Sequence, residues 1–342
     1  MKTFVIAEAG ANHNRDWKIA KQLIYAAAAA GATAVKFQNY TSKNLYVSTT
    51  PDFGIYQNIP ELISSIELPS NWCYDLKKIC DDCDIEFMST PFDEDAVELL
   101  YNIGVKRMKI ASFEVSDKRL VKCIAETKLP VIFSAGIKTG IEQVRETIDY
   151  IKSINSLADI TVLHCNSSYP TPFEDINLGQ MLKLVKNFNK EAEIGLSDHT
   201  IGILVPPIAV THGASVIEKH FTISRQMKGP DHPFAIEPQE LIEMCNSIKY
   251  AEKVMNVKSD NELTKSEKDN QMSFALRSIV SKVNIKAGEI LSEENITTKR
   301  PYIEGNIPAA MYNDLLGNFV VTSDIPADTM IQESQVKYDK RK

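Results

Sequence analysis

The chain has 342 residues, which is too many for one small hydrophobic core, so two domains or one large barrel with an appendage are expected. Its formal net charge of −7 argues against a protein that binds duplex nucleic acid. Charged residues interrupt each apolar run, beginning with Glu8 in the first, so neither a signal peptide nor a membrane span is predicted.

The six cysteines predict neither a disulfide framework nor a zinc site. Only Cys80 and Cys83 form a CxxC pair, and no second pair completes a metal site. The helical spacing of the apolar residues around them favours a buried helix face over a redox motif. Unpaired cysteines fit the reducing cytoplasm, which is the expected location.

Eight short runs rich in Val, Ile and Phe are nearly continuously apolar, as is typical of strands buried on both faces of a parallel sheet. They span residues 4–10, 34–40, 85–91, 107–112, 130–136, 159–165, 193–199 and 215–221. Amphipathic stretches with helical spacing follow them at residues 16–30, 71–83, 93–102, 118–127, 140–153, 178–188, 202–212 and 238–254.

Eight strands alternating with eight helices predict an α/β fold, a (β/α)₈ TIM barrel over residues 1–257. The alternative, a doubly wound open sheet, would need a glycine-rich phosphate loop after an early strand, and none has the required spacing. Residues 258–274 are polar and charged without an apolar period, so a linker is predicted there. Short strand-like runs with intervening turns then predict a small β-rich domain over residues 275–338.

Polar side chains end nearly every predicted strand. In a barrel of this kind the carboxyl ends of the strands meet at one rim, so these side chains are expected to converge. Turn and helix-cap roles explain single residues such as Ser89 and Asp198, but not the whole set. The set predicts a functional pocket and consists of Glu8, Asn12, His13, Lys36, Gln38, Ser89, Thr90, Lys109, Ser112, Glu114, Ser134, Asn166, Ser167, Tyr169, Ser197, Asp198, His199, Glu218 and His220.

Two histidines end neighbouring predicted strands. His199 ends the seventh strand and His220 ends the eighth, so both imidazoles are expected at the same rim. Two imidazoles together with water and substrate oxygens suit Mn²⁺, Fe²⁺, Co²⁺ or Zn²⁺ better than Ca²⁺ or Mg²⁺. The alternative is a pair of core histidines that bond to backbone carbonyls.

Two lysines lie inside otherwise apolar strands. Lys36 and Lys109 each need a carboxylate or an anionic ligand, because an unpaired buried ammonium is costly. Glu218 shares strand parity with His220 and is the expected counter-ion inside the barrel. A structural ion pair would account for one lysine. Both lysines together with nearby hydroxyl groups predict a cradle for phosphate and carboxylate groups.

These residues fall within a series of short strings: IAEAGANHN, AVKFQ, MSTPFD, KIASFE, FSAG, LHCNSSYPTPFEDINL, GLSDHT, VIEKHFT and GPDHPFAIEP. TKRP and LLGN follow near the end of the chain. Together they resemble the sialic acid synthase family, which includes the N-acetylneuraminate, legionaminate, pseudaminate and spore-coat polysaccharide relatives. GLSDHT followed by VIEKHFT is the most specific pair.

The resemblance implies a (β/α)₈ barrel followed by a small antifreeze-like (SAF) domain, assembled as a domain-swapped homodimer. It implies condensation of phosphoenolpyruvate with an N-acetylmannosamine-like amino sugar, which yields a nine-carbon 2-keto acid and phosphate. It also implies that His199 and His220 hold a divalent metal, Mn²⁺ by preference, without an organic cofactor.

The resemblance assigns roles to individual residues as well. The positions that bind phosphoenolpyruvate would be Lys36, Thr90, Lys109, Ser112, Ser134, Ser167 and Ser197. The positions that bind the acceptor sugar would be Glu8, Gln38, Tyr169 and Asp231. Glu114 stands where proton transfer is proposed, and Arg300 matches an arginine that the small domain inserts into the partner's site.

Two positions depart from the family pattern, and the second leaves the acceptor open. Ser167, one of the phosphoenolpyruvate positions, stands where the family often has asparagine. Residues 111–114 read ASFE where neuraminate synthases typically read GSGE, which is more similar to the pseudaminate and spore-coat branches. The string GPDHPFAIEP is more similar to the neuraminate and legionaminate side. Phe113, in place of a glycine, either favours a less polar sugar or packs behind its strand.

Two other functions stay open at this point. Synthases of the DAHP or KDO-8-phosphate type also condense phosphoenolpyruvate, but they act on phosphorylated sugars. Binding the second phosphate needs additional basic residues, and Arg300 is the single candidate for that role. A catalytically inactive barrel that binds a sugar is the second alternative. Such a binder would not need the histidine pair.

Overall fold

The structure, a computed structural model, describes residues 2–52, 57–137, 139–255, 264–269 and 272–339. Contacts divide the chain into two units, Met1–Asn256 and Val257–Lys342. We call them the barrel unit and the C-terminal unit. No helix within the described ranges combines the length and the apolar character needed to cross a bilayer.

The barrel unit contains one parallel sheet whose strand order is β3-β2-β1-β8-β7-β6-β5-β4. The strands are β1 Phe4–Gly10, β2 Ala34–Asn39, β3 Glu86–Pro91, β4 Met108–Ile110, β5 Val131–Ala135, β6 Ile160–Cys165, β7 Glu193–Asp198 and β8 Val216–His220. Because β1 pairs with both β2 and β8, and β3 lies beside β4, the sheet curves round on itself. The predicted (β/α)₈ fold is confirmed, and the open-sheet alternative is wrong.

Every amphipathic stretch predicted from the sequence contains a helix. In chain order the helices are α1 Trp17–Ala29, α2 Ser42–Leu45, α3 Ile59–Ile66, α4 Cys73–Asp82, α5 Glu94–Asn102, α6 Lys118–Glu126, α7 Ile141–Ile154, α8 Leu178–Phe188, α9 Val205–Thr211 and α10 Pro238–Val254. Aspartates at positions 16, 93 and 117 cap α1, α5 and α6 by accepting backbone N–H groups. The sequence did not predict α2 and α3. Both are short, and α3 fully buries only Ile66.

Alternation along the strands divides the barrel interior into two layers. Near the amino-terminal ends, an apolar cluster fills the barrel: Ile6, Ala34, Met88, Ile132, Leu163 and Val216. Two residues further along the same strands, the buried side chains are Glu8, Lys36, Thr90, Ser134, Cys165 and Glu218. Because strand side chains alternate with a period of two, both layers point inward. The apolar layer therefore closes one end, and the polar layer can serve only the carboxyl-terminal rim.

The C-terminal unit is a small β structure, as predicted. It contains α11 Lys265–Asp269, β9 Ser278–Ser281, β10 Ile296–Lys299, α12 Tyr312–Leu315, β11 Phe319–Val321 and β12 Val336–Tyr338. β9 pairs antiparallel with β10, and β11 with β12, around an apolar core that includes Ile279 and Ile325. Of the predicted linker, residues 258–263 and 270–271 lie outside the described residues, and α11 occupies part of the remainder.

Candidate active site

Two cavities lie at the carboxyl-terminal ends of the barrel strands and share Gln38, Ala111, Tyr169 and His220 in their lining. The smaller cavity has a volume of about 40 Å³. It brings together most of the residues predicted from the sequence: Glu8, Lys36, Gln38, Thr90, Lys109, Ser112, Ser134, Tyr169, Ser197, His199 and His220. Glu218 and Cys165 also line it, and of these two the sequence had not pointed to Cys165.

Four buried charged side chains alternate in sign along the smaller cavity. Lys36 Nζ lies 2.9 Å from Glu8 Oε2 and 3.7 Å from Glu218 Oε2. Lys109 Nζ lies 3.9 Å from the same Glu218 oxygen. Each lysine therefore has the carboxylate that a buried ammonium needs. Glu218 is the counter-ion expected from its strand parity.

Burial and neighbouring charge oppose each other in this chain of ionisable groups. Burial acts to lower the pKa of Lys36, but Glu218 and Glu8 outweigh it and raise that pKa. Burial raises the pKa of Glu8 to about 7, against the opposing effect of Lys36. Burial lowers the pKa of Lys109, against the opposing charge of Glu218. With a pKa of about 7, Glu8 is about half protonated at neutral pH, so its charge only partly balances the lysines. An anionic ligand beside Lys36 and Lys109 would supply a further counter-charge.

Hydroxyl groups surround the lysine ammonium groups. Lys36 Nζ donates to Thr90 Oγ1 at 3.0 Å, and Lys109 Nζ donates to Ser134 Oγ at 2.7 Å. Ser197 Oγ donates to Glu218 Oε1 at 3.1 Å. These hydroxyls come from β3, β5 and β7, so the pocket is assembled from strands far apart in sequence. Hydroxyls beside ammonium groups are suited to bind phosphate or carboxylate oxygens.

A close approach of two serines depends on a glycine that the sequence analysis did not single out. Ser112 Oγ and Ser167 Oγ lie 2.9 Å apart. A Cβ on Gly136 would lie 2.6 Å from both Ser112 Cβ and Ser167 Oγ, closer than such atoms can pack. Gly136 is the last residue of the FSAG string, so the position of this glycine directly after β5 was the sequence signal that could have indicated a close approach. Ser167 bonds to Ser112, which itself lines the smaller cavity.

The two histidines meet at the rim, with ring centroids 5.3 Å apart. His199 Nδ1 donates to the carbonyl oxygen of Asn166 at 2.6 Å. A carbonyl oxygen can only accept, so Nδ1 carries the proton and Nε2 keeps its lone pair. Burial lowers the pKa of His199, and burial lowers that of His220 well below the usual range. Both rings are therefore neutral, as metal coordination requires.

The donor atoms at the rim fit a divalent transition metal. His220 Nδ1 is buried without a hydrogen-bond partner in the described parts of the chain, and its nearest carboxylate oxygen, Asp231 Oδ2, lies 3.6 Å away. Among the same residues, no group of three or more His, Cys, Asp and Glu side chains could hold a metal. The two imidazoles are thus the donors that the described residues would offer to a metal, and water or substrate oxygens would have to supply the rest.

The larger cavity, about 520 Å³, joins a polar side to an apolar wall. On the polar side, Gln38 Nε2 donates to Glu8 Oε1 at 2.9 Å, and burial raises the pKa of Asp231 to about 6. The ring of Tyr169 lies 4.1 Å from that of His199, centroid to centroid. The apolar wall comes largely from α2, α3 and the residues beside them: Leu45, Tyr46, Ile59, Leu62, Ile63 and Ile66.

Hydrogen bonds between two loops hold the segment that carries Asp231. In the loop after β1, Asn12 donates to Phe221 O at 2.9 Å, and Asn14 donates to Lys228 O at 2.8 Å. His232 Nε2 also pairs with Asn14 Oδ1 at 3.1 Å. The sequence did not assign a role to Asn14 or His232, because nothing in a single chain indicates which distant loops meet.

Glu114 and Phe113 follow β4 at different depths. Burial raises the pKa of Glu114 to about 7, and its buried Oε2 has no hydrogen-bond partner among the residues described. Glu114 does not line either cavity. Phe113 is 52% exposed and lines the larger cavity, so it does not pack behind its strand.

Arg300 is the predicted site residue that the barrel unit does not contain. It lies in the C-terminal unit, directly after β10 and before Pro301, and is exposed. The barrel unit by itself therefore brings together the predicted metal, cradle and acceptor residues, without the arginine.

Comparison with known proteins places both units in described families. The NeuB family matches residues 23–260, and the SAF domain matches residues 277–337. An N,N'-diacetyllegionaminic acid synthase from Campylobacter jejuni is 39% identical over 341 residues, which cover 97% of this chain and 99% of that protein.

Solved structures agree with the sequence comparison. The crystal structure of an N-acetylneuraminic acid synthetase from Leptospira borgpetersenii, in complex with citrate, matches with a TM-score of 0.71 and 33% identity, covering 80% of this chain and 91% of that one. A truncated 3-deoxy-D-arabino-heptulosonate 7-phosphate synthase from Thermotoga maritima matches with a TM-score of 0.59 over 75% of this chain and 89% of its own. At 13% identity, the second likeness shows a shared fold alone.

Proposed function

Because the chain belongs to the NeuB family and carries a SAF domain, we propose that it is a synthase of the sialic acid type. The enzyme condenses phosphoenolpyruvate with an N-acylated amino sugar, which gives a nine-carbon 2-keto acid and inorganic phosphate. The observation that carries this proposal is the juxtaposition of two buried lysines with a pair of histidines at one barrel rim.

The smaller cavity supports phosphoenolpyruvate as the first substrate. Its phosphate and carboxylate groups match Lys36 and Lys109, whose ammonium groups bond to hydroxyls and carboxylates in the free protein. Binding exchanges some of these contacts for charge-assisted bonds to the substrate. Thr90, Ser112, Ser134, Ser167 and Ser197 supply the hydroxyls of the cradle.

The larger cavity supports a sugar as the second substrate. Glu8, Gln38 and Asp231 offer acceptors and donors to hydroxyl groups, and Tyr169 offers an aromatic face. The apolar wall opposite suits the methyl group of an N-acyl substituent. The acceptor is an unphosphorylated 2-acetamido sugar of the N-acetylmannosamine type or its 6-deoxy diacetamido analogue. No cluster of basic residues lines the described part of this cavity for a second phosphate.

The reaction forms one carbon–carbon bond and releases phosphate. The methylene carbon of phosphoenolpyruvate attacks the aldehyde carbon of the open-chain sugar, and water adds to the resulting cationic carbon. The tetrahedral product of that addition expels phosphate and becomes the 2-keto acid. A divalent metal such as Mn²⁺, held by His199 and His220, would supply Lewis-acid polarisation of the aldehyde.

The protein's own side chains position the reactants and move one proton. Lys36 and Lys109 hold the anionic groups of phosphoenolpyruvate. The larger cavity, whose lining includes Gln38 and Tyr169, aligns the sugar beside phosphoenolpyruvate. We assign the proton of the attacking water to the ionised form of Glu114, because burial leaves its carboxylate basic near neutral pH. Since Glu114 lines neither cavity in the free protein, an intervening hydroxyl group has to relay this proton.

Phosphate release from phosphoenolpyruvate, measured with a panel of sugars in the presence and absence of EDTA, tests the proposed function. Release is expected with unphosphorylated 2-acetamido sugars and is expected to stop when EDTA removes the metal. A strong preference for erythrose 4-phosphate or for a 6-phosphorylated sugar would overturn the acceptor assignment. Binding of a sugar without phosphate release from any member of the panel would identify an inactive binding barrel.

The pH profile tests the role of Glu114. Its pKa of about 7 means that the carboxyl is mainly neutral below that pH and mainly ionised above it. As a base it must be ionised, so kcat/KM, which follows ionisations of the free enzyme, is expected to rise with pH through about 7. Glu114→Gln should lower kcat and abolish this rise, whereas exposed Glu126→Gln should leave it intact.

Glu8 needs a separate variant in the same experiment, because its pKa also lies at about 7. Glu8→Gln should retain the rise of kcat/KM through neutral pH if Glu114 is the base. A rise that persists in Glu114→Gln but disappears in Glu8→Gln would transfer the role to Glu8.

The assembly belongs to the same proposal. The enzyme is a domain-swapped homodimer in which Arg300 from one chain enters the active site of the other. Inactive His220→Ala chains mixed with inactive Arg300→Ala chains should regain up to about a quarter of wild-type activity, because half of the dimers are mixed and each has one intact site. Verified subunit exchange without recovered activity would contradict the swapped arrangement.

A cytoplasmic location completes the proposal. All six cysteines are free, as expected in a reducing compartment. Fractionation of cells that produce the protein, with activity assayed in each fraction, tests the location. Activity in the exported fraction would contradict it.

A further inference from the structure

A buried ion pair lies directly behind the two histidines. In the parallel ladder between β7 and β8, Asp198 is the partner of Lys219. Lys219 Nζ lies 2.7 Å from Asp198 Oδ2, and both side chains are almost fully inaccessible. One residue earlier in each strand, Ser197 and Glu218 bond to each other inside the barrel. By strand alternation, Asp198 and Lys219 face away from the cavity, so they do not touch a substrate there.

Lys219 contacts the chain on both sides of His199. Besides the carboxylate of Asp198, its ammonium group donates to the carbonyl oxygen of Thr200. Asp198 and Thr200 flank His199, and Lys219 directly precedes His220. The amide N–H of Thr200 also donates to Asp198 Oδ1 at 3.0 Å, which closes a tight turn around His199. The ammonium group of Lys219 thus connects the residues on both sides of His199 to β8, at the position directly before His220.

This connection matters because His199 lies beyond the end of the ladder. β7 ends at Asp198, so regular strand pairing does not hold the backbone of His199. Its own hydrogen bonds are Thr171 N donating to His199 O at 3.0 Å, the bond from its ring to Asn166, and a 3.9 Å contact between its ring and Cys165 Sγ. None of these partners lies on β8, and the contact of His199 with His220 on β8 is between rings without a hydrogen bond. The link from Lys219 is therefore a hydrogen-bonded contact, within the described residues, that fixes the turn around His199 to β8.

Stability alone is a weak reason for such a pair. The free-energy cost of removing two charges from water is about as large as the free energy gained from their attraction. Replacing both members of a buried ion pair by neutral groups therefore often leaves the stability of the fold unchanged or raises it. Geometric precision is a different benefit. A metal site needs its ligands held within about 0.5 Å, and loss of an outer partner typically lowers metal affinity about 10- to 100-fold.

We propose that Lys219 and Asp198 are positioning residues that set the spacing of His199 and His220 for metal binding. The inference rests on the proposed metal site, and it assigns the pair no contact with metal or substrate. A purely structural pair would contribute to the fold and leave the metal affinity of a folded variant unchanged.

The double variant Asp198→Asn/Lys219→Met separates the two roles, because it removes both charges and leaves neither unpaired. The asparagine keeps an oxygen for the Thr200 amide, and the methionine fills the volume of the lysine stem. Mn²⁺ binding to the protein alone is measured by calorimetry or by electron paramagnetic resonance, next to thermal unfolding. We expect a folded variant with a melting temperature near that of wild type and a Kd for Mn²⁺ raised about 10- to 100-fold.

Steady-state kinetics give a second readout. At limiting Mn²⁺ the double variant should lose activity in proportion to its weaker metal binding, whereas its KM for phosphoenolpyruvate should change little, because Lys36 and Lys109 lie on other strands. A matched control is Glu86→Gln/Arg107→Met. That pair, with Arg107 Nε 2.7 Å from Glu86 Oε1, lies at the opposite end of the barrel. Its loss should leave the Kd for Mn²⁺ unchanged.

Several results would overturn the inference. A folded double variant with the wild-type Kd for Mn²⁺ would do so, and a double variant that fails to fold would show that the pair serves the fold instead.

The metal site itself has a separate test. If His199→Ala leaves the Kd for Mn²⁺ at the wild-type value, the metal site is refuted. In that case crystal structures decide the positioning role. The ring separation of 5.3 Å should change by more than about 0.5 Å in the double variant, and an unchanged separation would refute it.

Discussion

Replacing either histidine of the rim, as His199→Ala or His220→Ala, should lower kcat more than about 100-fold, beyond the usual cost of losing an outer-shell partner. The reason is that the proposed metal site has two imidazoles as its protein donors, so removing one would leave a single protein ligand. Steady-state phosphate release with saturating Mn²⁺ measures the effect. Thermal unfolding is expected to change little, because each substitution removes a neutral ring from the rim and leaves the apolar layer of the barrel intact.

His212→Ala is the matched control for the histidine variants. His212 ends α9, is exposed, and bonds to the carbonyl oxygen of Ile208 at 2.8 Å. Its replacement should leave both kcat and the Kd for Mn²⁺ at the wild-type values. Near-normal turnover of a folded His199→Ala or His220→Ala enzyme would refute the assignment of the pair as metal ligands.

Replacing the second lysine of the cradle should act on one substrate alone. Lys109→Met removes a charge-assisted contact worth about 1.5–3 kcal/mol, which corresponds to a KM for phosphoenolpyruvate raised about 10- to 150-fold. The KM for the sugar should change little, because Lys109 lines the smaller cavity and not the larger one. Methionine fills the same buried volume, and Glu218 keeps Lys36 as its counter-ion.

Lys122→Met serves as the control for Lys109→Met. Lys122 lies on the exposed face of α6, where it pairs with Glu126 at 3.7 Å, and surface pairs of this kind contribute little. Its replacement should leave both KM values unchanged. An unchanged KM for phosphoenolpyruvate in a folded Lys109→Met enzyme would contradict the cradle. A rise in the sugar KM alone would move Lys109 to the acceptor site.

The sequence by itself determined the barrel and most of the polar residues at its rim. Strand positions were readable because parallel strands buried on both faces must be nearly continuous apolar runs. The sidedness of Glu218 and His220 followed from strand alternation, which is a local property of the backbone. Residues such as Lys109 stood out because an ammonium group within an apolar strand always requires a partner.

Contacts between distant parts of the chain were decided only by the tertiary structure. The apolar wall from α2 and α3 was not predicted. The spacing of Ile59, Leu62, Ile63 and Ile66 is helical and was an available signal, but a short amphipathic pattern does not show whether its apolar face lines a cavity or packs on the core. The space that Gly136 leaves for Ser112 and Ser167 depends on three loops meeting.

The same limit applies to the ion pair of Asp198 and Lys219. A single sequence showed both residues beside the histidines, but their pairing depends on the register between β7 and β8. Local periodicity indicates which way a side chain points. Only the packed barrel determines which side chain it meets, because that contact is set by strand order and register across the whole sheet.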